Sequence, residues 1–585
     1  MCGIFGYIQG LEPEDKDVVN EVSNGLRRLV YRGYDSWGYS TSNGYTNKQV
    51  GEVPETFAMD EREAEAESCV GHTRWATHGG VTKENAHPHE SCRKLETPER
   101  RFAVVHNGII ENHEELREQL NSDHCFTSDT DTEVIPHFLE HHTEAGRTTA
   151  EALHLFDEEA EGNYAVVVLD RKEEQLYGLK RGSPLVFAYP RVEDELLKPA
   201  KGAYFSSDLY AISDKCDKAY FMEDGDIIMT SGSNLGLMED GKWTEGFKNE
   251  NWKEFEWTEE EPELGERNKY WMEKEIKEIP EAINRLAESL NNTQYDAFTR
   301  LQTKIESAEK VILTASGTSY HAALLGVYYL QKNGVDAQAL IASEFENYER
   351  VNEDTLLLAI SQSGETRDVL DAIEVAENKG AEIASLVNVP HSTIQRKSSI
   401  SLEIKAQQEN CVAATKTFTN QVYALMNLAG ADTFGAEEIE TVKNIGMMAF
   451  QDAAEFHDAG HEDLYIIGNA STYPVAREIA LKIKEIAYVH AEGMMAGELK
   501  HGTLALIEEG TPVICLDDGT GNIQTSIEEV EARGARTKKL EATGNENDFV
   551  FNSAIYGFWL AMYWAHLKQL PVDRPRNLAK SVTVK

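Results

Sequence analysis

The sequence predicts a multidomain α/β protein, with a β-rich N-terminal half followed by two doubly wound units on parallel sheets. Three observations carry that expectation. In the N-terminal half, short apolar runs such as Phe102-Ala103-Val104-Val105 and Tyr164-Ala165-Val166-Val167-Val168-Leu169 are bounded by Gly, Asn or Asp, as strands are. Beyond residue 290 apolar strands alternate with amphipathic helices, the pattern of βα units on a parallel sheet. Two stretches there echo each other about 150 residues apart, the mark of an internal duplication. Lys310-Val311-Ile312-Leu313-Thr314-Ala315-Ser316-Gly317-Thr318-Ser319 is one and Asp463-Leu464-Tyr465-Ile466-Ile467-Gly468-Asn469-Ala470-Ser471-Thr472 the other, each a buried strand ending in a small-residue turn.

Composition bounds the function. A length of 585 residues, 41% of them hydrophobic, suits several domains with substantial cores. Lys and Arg number 56 against 101 Asp and Glu, a net charge of −45. Such a chain repels phosphate, which argues against nucleic acid and an anionic membrane surface as partners. No run approaches the roughly 18–20 apolar residues that span a bilayer. The opening MCGIFGYIQGLEPEDKD has no basic stretch leading into an apolar one, so a cytoplasmic location is expected. The seven cysteines are scattered and form no CxxC pair, which supports neither a disulfide framework nor a zinc site. No metal and no cofactor are expected, and His87 and His89, flanking Pro88, read as incidental.

Among the cysteines Cys2 differs. Removal of Met1 exposes a thiol beside a free α-amine, which titrates near 7.7–8.0 in model peptides and is partly unprotonated near neutral pH. A nucleophile whose own amine serves as base needs no histidine partner. Cys2-Gly3-Ile4-Phe5-Gly6-Tyr7 is followed by Tyr31-Arg32-Gly33-Tyr34-Asp35-Ser36, Gly71-His72-Thr73-Arg74-Trp75-Ala76-Thr77-His78-Gly79, Val105-His106-Asn107-Gly108 and Ser128-Asp129-Thr130-Asp131-Thr132-Glu133. This ordered set resembles the class II glutamine amidotransferase (glutaminase) domain. The resemblance implies an N-terminal Ntn-hydrolase αββα sandwich, antiparallel sheets between helices, over residues 1–240. It also implies that Arg74 and Asp131 take the carboxylate and ammonium of L-glutamine, with Trp75, Thr77 and His78 lining the pocket. Asn107 and Gly108 would form the oxyanion hole, where a side-chain amide and a backbone N–H meet the charge that thiolate attack creates. Trp75 would gate an ammonia channel.

Residues 241–289 are charge-dense with isolated aromatics, and read as an acidic linker and leading helix. Two candidate anion cradles follow, each a small-residue turn between a strand and a helix. They are Ser316-Gly317-Thr318-Ser319 and Ser361-Gln362-Ser363-Gly364-Glu365-Thr366. Backbone N–H groups at a helix start, with hydroxyls, hold phosphate without Lys or Arg. The second turn resembles the phosphate loop of sugar isomerase (SIS) domains, which implies two SIS copies at 290–435 and 455–570 and a C-terminal active-site tail at 571–585.

The runs Glu478-Ile479-Ala480-Leu481-Lys482-Ile483-Lys484-Glu485-Ile486 and Gly497-Glu498-Leu499-Lys500-His501-Gly502, with the tail Asp573–Val584, resemble the isomerase signature of the glutamine–fructose-6-phosphate aminotransferase family. The resemblance implies fructose 6-phosphate as acceptor, glucosamine 6-phosphate as product and a homodimer formed through the SIS half. It places His501 on ring opening, Glu485 on proton transfer between C1 and C2, Lys580 on Schiff-base formation and Lys482 in the same polar cluster. Ser316, Gly317, Thr318, Ser319, Ser361, Gln362, Ser363, Thr366, Val412, Ala414 and Ala579 would contact the sugar phosphate. Ala406-Gln407-Gln408-Glu409-Asn410-Cys411-Val412-Ala413-Ala414-Thr415-Lys416 departs from the family's G-x-E-I-G-V-A-S-T-K, with Gln407 and Cys411 for glycines and Ala414 for Ser. That form resembles SIS deaminases and related isomerases. The alternatives are therefore an SIS enzyme that aminates or deaminates another sugar phosphate, and a catalytically silent sugar-phosphate sensor.

Overall fold

The computed structural model describes residues 2–12, 17–55, 57, 65–76, 78–92, 100–120, 123–191, 201–232, 234–244, 246–255, 262–348, 350–431, 442–458, 463–542 and 545–580. The chain forms two compact units that divide between residues 259 and 260.

The first unit is a four-layer sandwich. Its first sheet centres on strand Gly3–Gln9, which pairs antiparallel with Ser68–Arg74 on one side and Gly202–Ser206 on the other. Its second sheet includes Phe102–Ile110 and Gly162–Asp170, also antiparallel, in register through Asn107↔Ala165 and Gly108↔Tyr164. Ile4, Val70, Val105, Val167, Phe187 and Phe205 form one apolar cluster, contributed by both sheets. Helix Val18–Arg28 covers the first sheet through Val18, Val22 and Leu26. Helices Val134–Glu144 and Thr149–Glu159 cover the second through Phe138, Leu153 and Phe156. This αββα layering is the one the resemblance implied. Alternation explains it, because each strand sends successive side chains to opposite faces and both faces here are covered.

Part of the stretch read as linker belongs to this unit. Lys242–Trp243 pairs with Leu235–Glu239, and Trp252–Glu254 with Lys218–Phe221, both at sheet edges. Strands of two and three residues are too short to display an alternation. Helix Ile279–Asn291, from the same stretch, packs Ile279, Ile283, Leu286 and Leu290 into the core of the second unit.

The second unit holds two parallel sheets. In the first, strand Lys310–Ala315 lies between Ala337–Ile341 and Thr355–Ser361, which continues to Glu382–Val387 and Ile400–Glu403. In the second, Asp463–Gly468 lies between His490–Met495 and Pro512–Asp517, which continues to Arg536–Glu541. The neighbour order is shared: the first strand takes the second on one side and the third on the other, as a duplication requires. The turns after the third strands differ. In the first copy that turn is Ser361–Thr366. In the second it is Asp517-Asp518-Gly519-Thr520, where Asp517 accepts from the Gly519 N–H and Asp518 from the Thr520 N–H. Helix Glu546–Leu567 is apolar on all sides because it is buried on all sides. No described helix is long and apolar enough to cross a membrane.

Candidate active sites

In the first unit the two central sheets bring Cys2 and Asn107 together. Asn107 Nδ2 donates to the Cys2 carbonyl at 3.0 Å, and its Oδ1 lies 3.1 Å from His72 Nε2. The Trp75 N–H points at Cys2 Sγ from 3.3 Å. Burial pushes the Cys2 thiol up, while the Trp75 amide and the Arg74 guanidinium draw it back. Gly108 has φ +122°, and a Cβ there would sit 2.0 Å from the Asn163 carbonyl. Only glycine fits that bend.

Arg74 is buried at the end of its strand and donates to the carbonyls of His78, Gly79 and Gly80. The loop thus fixes the guanidinium, and the His78 ring sits edge-on to His113. Asp131, also buried, accepts from the Ile110 N–H at 2.8 Å. Thr77 lies outside the described residues.

His87 and His89 are not incidental. With His72 and His106 they form a buried imidazole cluster, the His72 and His87 rings stacked at 4.0 Å. Burial lowers all four, His72 to about 3, so they stand neutral as hydrogen-bond partners. His106 Nδ1 lies 2.8 Å and His87 Nε2 3.3 Å from Thr132 Oγ1, and His89 Nε2 lies 3.0 Å from Thr130 Oγ1. The threonines on both sides of Asp131 are held this way. The A-H-P-H spacing gave no sign of it, because these partners come from three separate strands and a loop.

In the second unit Lys482 and Glu485 meet at 2.6 Å. They lie where helix Thr472–Lys482 passes into a π-helical turn, Ile483–Ala487, that ends at Tyr488 in the left-handed region (φ +53°). Such widened turns recur at functional sites. Behind Lys482 lies Glu478, fully buried. It accepts from Thr318 Oγ1 at 3.0 Å and faces His321 Nδ1 at 2.7 Å and Lys482 Nζ at 3.4 Å. Burial works against the Lys482 ammonium, and Glu478 and Glu485 more than offset it, raising its pKa. Burial raises Glu485, with Lys482 and Lys580 drawing it back.

Lys580 Nζ pairs with Glu409 at 2.6 Å, both side chains buried. Burial alone would raise Glu409, but Lys580 and the Thr417 hydroxyl hold it down to about 2. The tail that carries Lys580 is anchored upstream. Asp573 accepts from the N–H groups of Trp271 and Met272, its carbonyl takes the Val412 N–H at 3.0 Å, and the Arg576 N–H donates to Tyr488 Oη at 2.7 Å. Glu409 and Glu278 are the carboxylates that receive Lys580 and Lys416 here. Sequence reasoning passed over Glu409, Glu478 and His321 because a charged residue inside a motif looks the same whether it is solvated or buried. The departing segment keeps a glycine-like backbone, since Gln407, in place of a glycine, has φ +59°.

Both cradles form. Ser361 Oγ accepts from the Gly364 N–H at 3.0 Å and lies 2.9 Å from Thr366 Oγ1, while Ser363 Oγ accepts from the Glu365 N–H. Gln362 accepts from the Asn388 N–H through its carbonyl. Gly364 has φ +66°. At the other turn Gly317 has φ +56°, Ser319 Oγ takes Gln421 Nε2 at 2.9 Å, and Ser316 Oγ is buried with no hydrogen-bond partner among the described residues. Ala414 and Ala579, both partly buried, flank the Glu409–Lys580 pair in sequence. The structure does not bring His501 to this cluster: it ends the 3-10 turn Ala496–His501 exposed, with no hydrogen bond or ion pair to another described residue.

Glu275, buried in the same neighbourhood, accepts from the N–H groups of Asn410 and Cys411. Burial and the nearby Glu409 push it up to about 8, against the pull of Lys580 and Lys416. The folded state therefore keeps a proton that the unfolded chain releases, and stability falls as pH rises from about 4.5 to about 8. Replacing Glu275 by Gln removes that slope. The variant should match the parent in thermal melts near pH 4.5 and exceed it above pH 8, by on the order of a few kcal/mol. An offset that does not change with pH would show that Glu275 ionises normally.

A family model described as "SIS domain" matches residues 304–431 and 456–560, and one described as "Glutamine amidotransferase domain" matches residues 86–197. A protein of Sulfolobus acidocaldarius named glutamine–fructose-6-phosphate aminotransferase [isomerizing] is 34% identical over 615 aligned positions, covering all of both chains. One of the same name from Sulfurisphaera tokodaii is 36% identical over 611 positions, again covering both completely. Among solved structures, the C-terminal domain of glucosamine-fructose-6-phosphate aminotransferase from Francisella tularensis is 29% identical, with a TM-score of 0.45 over 52% of this chain and 98% of that one.

Proposed function

The chain belongs to the glutamine–fructose-6-phosphate aminotransferase (isomerising) family, and from that premise we propose how its residues divide the work. The reaction is amination and isomerisation of fructose 6-phosphate to glucosamine 6-phosphate with release of glutamate, the first step of amino-sugar biosynthesis. The observation that carries the assignment of roles is the presence, in one chain, of a thiol set near an oxyanion-type amide and of a buried lysine–carboxylate cluster that Thr318 joins through Glu478.

In the first unit Arg74 and Asp131 hold the carboxylate and ammonium of glutamine. Cys2 Sγ attacks the amide carbon, passing its proton to the α-amine of Cys2 once Met1 is gone. The negative oxygen meets Asn107 Nδ2, released from the Cys2 carbonyl, and the Gly108 N–H. Ammonia leaves, and water cleaves the thioester to glutamate. Trp75, Thr77 and His78 line the pocket, with Trp75 gating the ammonia.

In the second unit the turns at Ser316–Ser319 and Ser361–Thr366 hold the phosphate, a role that supplies the missing partner of Ser316 Oγ. Val412, Ala414 and Ala579 contact the sugar; ring opening by His501 rests on the resemblance alone, since its side chain stands exposed and unbonded among the described residues. Lys580 Nζ, relieved of its proton, condenses with C2 of the open ketose and releases water. Ammonia displaces the lysine, leaving the sugar imine. Glu485 moves a proton from C1 to C2, a task suited to a carboxyl raised by burial, and Lys482 holds it in place. The homodimer through the SIS unit rests on the resemblance alone.

The test uses glutamine labelled with 15N in the amide and a panel of ketose 6-phosphates. Label should appear in glucosamine 6-phosphate. Label in free ammonia alone, with every sugar tried, would overturn the reading.

A further inference from the structure

Cys92, His124, His137 and Glu140 lie together in the first unit, and we propose that they form a closed structural site for one zinc ion. The residues come from three places: the end of the turn after strand His89–Glu90, the loop after helix His113–Leu120, and one face of helix Val134–Glu144, where His137 and Glu140 stand three apart. One ligand atom from each lies within 4.8 Å of all the others. Cys92 Sγ is 3.5 Å from His124 Nδ1 and 3.5 Å from His137 Nδ1, and His124 Nδ1 is 3.3 Å from Glu140 Oε2.

Those separations are the edges of a zinc tetrahedron. Zinc binds thiolate at about 2.3 Å and imidazole nitrogen or carboxylate oxygen at about 2.0–2.2 Å, which at tetrahedral angles puts S···N at about 3.5 Å and N···O at about 3.3–3.4 Å. The donor types agree, since thiolate and imidazole suit zinc while calcium and magnesium demand oxygen. Charge agrees as well: one thiolate and one carboxylate neutralise Zn²⁺ with both imidazoles neutral, so the site closes without a net buried charge. His137 turns Nδ1 toward the cluster, while its buried Nε2 has no hydrogen-bond partner among the described residues and lies 3.8 Å from Glu133 Oε1. A carboxylate is the usual recipient of the second N–H of a histidine ligand. Glu133 is itself fixed by the Thr127 and Ser128 N–H groups and hydroxyls. With ligands spread from 92 to 140, no short-spaced metal motif exists for the sequence to display.

The ion would fasten the loop that carries His124 to the helix that begins directly after Asp131–Glu133. It is a positioning element for Asp131 and touches no substrate.

The test takes the full chain, strips it with a chelator and titrates it with Zn²⁺ or Co²⁺ alone. Expected are about one tightly bound zinc per chain and, for cobalt, a thiolate charge-transfer band with the strong visible bands of a tetrahedral ion. Cys92→Ser should abolish the charge-transfer band and weaken zinc at least about tenfold. His124→Ala, on the loop, serves if Cys92→Ser does not fold. Cys125→Ser, beside the cluster but outside it, should bind as the parent does. Failure of the folded parent to hold zinc, or unchanged binding in Cys92→Ser, would leave a hydrogen-bonded cluster only and overturn the proposal.

Discussion

Cys2→Ala should cut glutamate release from glutamine by at least about a thousandfold, the usual cost of removing a covalent nucleophile, with fructose 6-phosphate binding unchanged. Few substitutions separate the two half-reactions so cleanly. Cys2 Sγ makes its hydrogen bonds with the Trp75 backbone of the same unit. The side chain is small and half-buried, so Ala leaves the strand Gly3–Gln9 and its two neighbours paired. Glutamate release and calorimetric titration with fructose 6-phosphate check the two halves separately. A variant that still hydrolyses glutamine within tenfold of the parent would remove Cys2 from the mechanism.

Glu485→Gln should lower glucosamine 6-phosphate formation by about 10²–10⁴-fold, the range expected when a positioned general base is lost, while glutamine hydrolysis persists. Gln retains the volume and an oxygen that Lys482 Nζ can reach, so the π-helical turn Ile483–Ala487 should survive. What disappears is a carboxyl whose pKa burial has raised toward the range useful for carbon acids. Exchange of solvent deuterium into C1 of the sugar phosphate gives the direct measurement. Undiminished exchange would assign the proton transfer to another group.

Sequence legibility followed the distance over which each site is assembled. Cys2, Arg74, Asn107 and Asp131 were readable because each sits inside a dense local motif. The duplicated α/β units were readable because strand and helix periods differ, and their SIS character came from the resemblance of the Ser361–Thr366 turn. What escaped notice is held together across the chain. Glu409 meets Lys580 from 171 positions away, Thr318 meets Glu478 from 160, and the Asp131 segment leans on histidines from separate strands. Burial decides whether such a carboxylate is surface charge or machinery, and no single window of sequence reports burial. The edge strands at 242–254 were missed for a simpler reason, being shorter than any period that could announce them.

The matched sheets with mismatched turns speak to ancestry. After the third strand one copy has the turn Ser361–Thr366, whose hydroxyls take amides of their own turn, whereas the other has Asp517 and Asp518, whose carboxylates do the same. The hydroxyl turn Ser361–Thr366 thus stands in one copy and the Lys482–Glu485 pair in the other, so a single copy standing alone would carry one set without the other.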